Sequence, residues 1–129
     1  MSKSFRDSAS FGKRMEYKLI GDTLREAVGC YVPLVDDHGV DCVIKKDDGT
    51  FIEVQIKARG SNIVEGDAAL FSAIVHELTP NYYFVFYSER MNMMWIMSSK
   101  EFLEFSTQNK SGKNIGKRSI WLNGYKTDK

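Results

Sequence analysis

Between Phe51 and Arg59 the chain alternates without a break, with Ile52, Val54 and Ile56 apolar and Glu53, Gln55 and Lys57 polar. Period-two alternation of this length marks a β-strand with one apolar and one polar face, because i and i+2 share a side only in an extended chain. Asp48-Gly49 just ahead of it is a strong hairpin signal, since both residues tolerate the backbone angles of tight turns. The stretch Val40 to Lys45 is rich in β-branched residues. The spacing therefore predicts a hairpin of Val40–Lys45, a turn at Lys46-Asp47-Asp48-Gly49, and Phe51–Arg59 returning antiparallel.

The rest of the chain arranges itself around that hairpin. Met15, Leu19, Ile20, Leu24 and Ala27 recur at helical spacing over Gly12 to Val28, and Gly29 stops the helix. Cys30 to Val35 reads as a short strand, followed by a turn at Asp36-Asp37-His38-Gly39. Asp67 to Leu78 is expected to form a short helix closed by Thr79-Pro80. Tyr82–Tyr87 and Met93–Met97 form a second hairpin about the polar turn Ser88–Asn92. Ser98 or Ser99 caps a helix running to Phe105, with Glu101 to Glu104 acidic in its first turns. Ile120 to Leu122 is expected as an edge strand or docking segment. The order predicts an α/β fold, a mixed central sheet flanked by helices.

With 129 residues, 43% hydrophobic and 27% charged, the chain suits one soluble globular domain spanning residues 1–129, with the polar stretch 1–10 expected to be flexible. Its net charge of +1, from 18 basic and 17 acidic residues, gives no global field toward phosphate or anionic lipid. Any such affinity must be local. Cys30 and Cys42 form no C-x-x-C pair and follow no signal peptide, which points to a reducing cytoplasm. No apolar run approaches the ~20 residues a bilayer span requires, so no membrane partner is expected.

A lysine, a glutamine and a glutamate on one face of a well-formed strand admit two explanations. The face is solvated, or the ammonium of Lys57 has an anion nearby, because burying it unpaired is expensive. Asp41 favours the second, since the hairpin brings Gln55 and Lys57 alongside it.

Gly39-Val40-Asp41, a strand, a hairpin and then Ile52-Glu53-Val54-Gln55-Ile56-Lys57 resemble the core of the PD-(D/E)XK nuclease superfamily. Phe11-Gly12 and Met15-Glu16 at the start of an amphipathic helix are similar to the first helix of its resolvase-like and restriction-like members. The similarity covers about Gly12 to Arg59. It implies a restriction-endonuclease-like core and Mg²⁺-dependent hydrolysis of DNA phosphodiesters, with Mn²⁺ as a substitute. It further implies Asp41 as metal-binding carboxylate, Gln55 in the place of the usual acidic residue, Lys57 as the lysine that polarises water, and Glu16 as the helix glutamate. The main-chain carbonyl of Ile56 joins the metal ligands in this reading. The departure is Gln55, a neutral ligand where glutamate is usual; some members, homing-type enzymes among them, carry glutamine there. Glu53 shares the strand face and restores part of the charge from ~7 Å away.

Other residues have blander readings beside functional ones. Arg59 contacts a phosphate or closes a salt bridge at the strand end. Lys110, Lys113, Lys117 and Arg118 track a nucleic-acid backbone or form a solvated loop. His38 is turn chemistry, His76 a packing or surface histidine, and Glu26 surface. Met91, Met93, Met94 and Met97 with Trp95 are read as strand core, with dimer packing the alternative. Three functions stay open: an active nuclease, a nucleic-acid-binding module that has lost catalysis, and a homodimeric interaction domain. A chain this small, without a separate reading domain, also calls for a second copy or a targeting partner.

Overall fold

The computed structural model describes residues 8–26, 29–35, 39–60, 70–112 and 115–122. Helix α1 (Ser8–Arg25) leads into β1 (Gly29–Tyr31), β2 (Cys42–Lys45) and β3 (Phe51–Arg59). Then come β4 (Leu70–Ile74), β5 (Tyr82–Ser88), β6 (Met93–Ser98), α2 (Ser99–Phe105), β7 (Thr107–Gln108) and β8 (Arg118–Trp121). Five strands form a mixed sheet in the order β1-β2-β3-β5-β6, and three form a second sheet in the order β4-β8-β7. The first sheet is antiparallel except at its centre, where β3 and β5 run parallel.

The alternation in β3 becomes a division of labour between the sheet's two faces. Val54 and Ile56 are buried with Cys42 beneath Ile20 of α1, and Leu19, Ile44, Ile52 and Val85 pack at the margin. Each large apolar side chain removed from water there contributes roughly 1.5–3 kcal/mol, which is what seats α1 on the sheet. On the other face Tyr82, Phe84 and Phe86 of β5 enter a second core with Phe102 of α2 and with Phe71, Ile74 and Ile120 of the smaller sheet. Its centre is aromatic: Phe84 lies 4.5 Å from Phe102 and 5.4 Å from Phe86, ring centre to ring centre.

Helix α2 is short, so its ends matter. Ser98 Oγ accepts from the Glu101 N–H at 3.2 Å and Glu101 Oε1 accepts from the Ser98 N–H at 2.8 Å, a reciprocal capping box that satisfies two otherwise orphaned donors. Ser98, of the two serines expected, is therefore the cap.

The mixed sheet and its flanking helices agree with the sequence reading, and several elements differ. Helix α1 begins at Ser8, four residues before the expected Gly12, so the stretch expected to be flexible enters the helix at its end. Instead of a helix over 67–78, residues 70–74 form β4, with 67–69 outside the described residues. Phe71 and Ile74 there are buried opposite Ile120 and Arg118 of β8, across an irregular register. Tertiary pairing has overridden a spacing of apolar residues that also suited a helix. Strand β8 lies between β4 and β7, so it is central and not an edge. The strand expected over Cys30–Val35 ends at Tyr31, because Pro33 cannot donate to a ladder and Leu34 and Val35 are exposed. Of the methionines assigned to the core, Met97 is buried, whereas Met93 and Met94 are 46% and 47% exposed on the edge strand β6.

Candidate functional site

Asp41 sits where β2 begins, and its place is fixed through both backbone and side chain. Its N–H donates to the Val54 carbonyl at 2.8 Å, and its Oδ2 accepts from the Ile56 N–H at 2.6 Å. Cys42 faces the same Val54 in the ladder, so two consecutive residues on this side engage one on β3. Such bulge-like irregularities turn a side chain out of the regular alternation. Here the turned side chain is a carboxylate lying along the backbone that links Gln55 to Lys57.

With Val54 and Ile56 under α1, the polar residues Glu53, Gln55 and Lys57 take the opposite face. The parallel register pairs them with Tyr82, Phe84 and Phe86, and parallel partners share a face, so the three polar groups stand in a row beside the aromatic core. Tyr82 is where the row and the core touch. Its hydroxyl donates toward the Gly39 carbonyl and lies 2.8 Å from the Gln55 side-chain oxygen. Gly39 has φ +69°, a left-handed conformation that glycine adopts without the penalty of a Cβ. Burial, followed by the negative charges of Asp41 and Glu53, pushes the Tyr82 pKa up to about 12.

Glu16 lies on α1, its side chain 19% exposed and ion-paired with Lys13 at 3.1 Å. The thiol of Cys42 is pushed up to about 12, chiefly by burial, then by Cys30, and further by the charges of Asp41 and Glu16. Both cysteines are free, and burial keeps Cys42 protonated and unreactive.

Two residues past Lys57, Arg59 carries a buried Nε for which the described residues supply no hydrogen-bond partner. Arg118, on β8, donates from Nη1 to Ser106 Oγ at 3.1 Å. The carbonyl of Lys117 accepts from the Asn109 N–H at 2.8 Å, which ties its backbone to that loop. Lys113 and His38 fall outside the described residues. Asp41, Glu53, Gln55, Ile56 and Lys57 are therefore brought together by β2 and β3, Glu16 is carried by α1, and Arg118 lies in β8 of the second sheet with Lys117 directly before it. Among the described residues no three His, Cys, Asp or Glu side chains converge.

Sequence reasoning missed Tyr82 and Gly39. A polar-tipped aromatic opening a run of buried aromatics was the available signal, because a buried tyrosine hydroxyl needs a partner. His76 packs as expected: its ring lies 4.9 Å from those of Tyr82 and Phe84, and its Nε2 lies 2.6 Å from Ser99 Oγ.

The backbone is similar to that of I-Ssp6803I, a bacterial homing endonuclease, with a TM-score of 0.59 and 19% sequence identity over 92% of this chain and 78% of that one. The two chains share a fold. No protein-family model matches the chain, and no curated protein matches it in sequence. Among the described residues no helix is long and apolar enough to cross a membrane.

Proposed function

We propose that the chain is a metal-dependent endonuclease of the PD-(D/E)XK type, in a form with Gln-x-Lys on its central strand, and that its substrate is DNA. The observation that carries this reading is the 2.6 Å bond from the Ile56 N–H to Asp41 Oδ2, which holds a carboxylate against the Gln55–Lys57 segment. A fold shared with a homing endonuclease supports DNA as the substrate class.

The donor set suits a hard cation: the carboxylate of Asp41, the amide oxygen of Gln55 and the main-chain carbonyl of Ile56, with Glu16 and Glu53 as the further carboxylates of this reading. Mg²⁺ or Mn²⁺ held there would polarise the scissile phosphate and acidify the attacking water. Lys57 orients that water and offsets charge building on the phosphate oxygens. Arg59, whose Nε has no hydrogen-bond partner among the described residues, suits a neighbouring phosphate. Lys113, Lys117 and Arg118 are secondary candidates for the DNA backbone, Arg118 the weakest because Ser106 already holds it. One such site cuts one strand, so a homodimer or a targeting partner completes the activity, which light scattering of the protein with and without DNA measures.

A second reading is favoured by the neutral Gln55: a module that binds nucleic acid without cutting it. Incubation with labelled single-stranded, duplex and branched DNA in Mg²⁺ or Mn²⁺, beside Lys57→Ala, separates the two. Metal-dependent cleavage by the native protein and at least a ~100-fold loss in the variant are expected. Binding with no cleavage in either metal would instead leave the module.

A further inference from the structure

We propose that Tyr82 is a positioning residue that selects which end of the Gln55 amide faces Asp41, turning the oxygen toward the metal site and the nitrogen toward itself. The metal half of this inference rests on the nuclease reading above; the orientation of the amide does not.

The argument begins from proton counting. A tyrosine hydroxyl carries one proton and two acceptor lone pairs. As placed, Tyr82 Oη meets two oxygens, the Gly39 carbonyl and Gln55 Oε1, both at hydrogen-bonding distance. Neither oxygen can donate, so one proton would have to serve both. The Gly39 carbonyl is main chain and its identity is certain. The oxygen and nitrogen of a glutamine amide are instead assigned from the surrounding hydrogen bonds and exchange places by a half-turn of the terminal torsion.

After that half-turn the Tyr82 proton has a single claimant. Gln55 Nε2 donates to Tyr82 Oη, Tyr82 donates to the Gly39 carbonyl, and Gln55 Oε1 is released from the pair. Space does not oppose the exchange, because the half-turn sets each atom where another of similar size stood. The left-handed φ of +69° at Gly39 sets the carbonyl that receives the tyrosine proton. Gln55 directly precedes Ile56, whose N–H holds Asp41 Oδ2, so the released Oε1 belongs to the segment that the Asp41 carboxylate grips.

It follows that glutamine suits this position in its own right. A glutamate at 55 would bring no donor to Tyr82, and the single tyrosine proton would be contested between Gly39 and the carboxylate. Gln55→Glu in the native background would therefore disturb the Tyr82–Gly39 bond instead of simply strengthening a cation site.

The test uses the full chain labelled with ¹⁵N at glutamine side chains, in metal-free buffer. The expected result is a nuclear Overhauser contact between the Gln55 amide protons and the Tyr82 ring protons ortho to the hydroxyl, with slowed exchange of one amide proton that reverts in Tyr82→Phe. A Gln55 NH₂ in free exchange with water and remote from Tyr82 in the native protein would overturn the proposal, whatever the variant does. Mn²⁺ titration, read by electron paramagnetic resonance, supplies the second arm: Tyr82→Phe should weaken binding about 3- to 10-fold, and an unchanged affinity in a folded variant would remove the positioning role. A native protein that keeps the amide contact and binds no Mn²⁺ would overturn the nuclease reading and leave the amide orientation established.

Discussion

Asp41 is asked for two things, an acceptor for the Ile56 N–H and a negative charge, and substitution separates them. Asp41→Asn keeps an oxygen for the backbone donor, so its unfolding free energy should stay within about 1 kcal/mol of the native protein while cleavage falls at least ~100-fold. Asp41→Ala strands a part-buried N–H and should cost about 1–3 kcal/mol besides, measured by urea unfolding. His76 gives a prediction in pH. Burial, then the charge of Arg118, holds its pKa below 6.5. The unfolded chain therefore binds that proton first as pH falls, and stability should drop from pH 6.5 downward to the folded pKa, being unaffected above about pH 7.5. The slope of the urea midpoint against pH in this window should flatten in His76→Gln. Asp41, Gln55 and Lys57 were legible because a local hairpin joins them, whereas Tyr82 lies 27 residues from Gln55 and meets it across a strand pairing that no spacing announces.

At the level of elements, the capping box of α2 was readable because its two halves stand three residues apart. Its removal in Ser98→Ala should lower stability by about 1 kcal/mol, visible as an earlier thermal transition with the site geometry unchanged. Strand β4 was not readable, because Leu70 and Ile74 fit a helical stripe as well as a strand. Only Ile120, 49 positions beyond Phe71 in the chain, decides between them by offering a ladder. The exposed Met93 and Met94 teach the same lesson about β6, since its alternation was visible but its place at the sheet edge was not.

For the whole molecule, the aromatic layer joins the larger sheet, α2 and the smaller sheet into one core, with Phe84, Phe86 and Phe102 fully buried. Phe102→Ala should cost about 3–5 kcal/mol and release the smaller sheet along with α2, seen as a loss of hydrogen-exchange protection in β8 as well as in the helix. The parallel pairing of β3 with β5 carries a consequence in time. Asp41 and the strand it grips are 15 residues apart and can meet in a local hairpin, but Tyr82 arrives only after the chain has made a long return and closed a costly loop. During synthesis and refolding the carboxylate, amide and lysine are thus assembled before the tyrosine that meets the amide. A newly made chain would hold these three groups without the Tyr82 contact until its second half has docked.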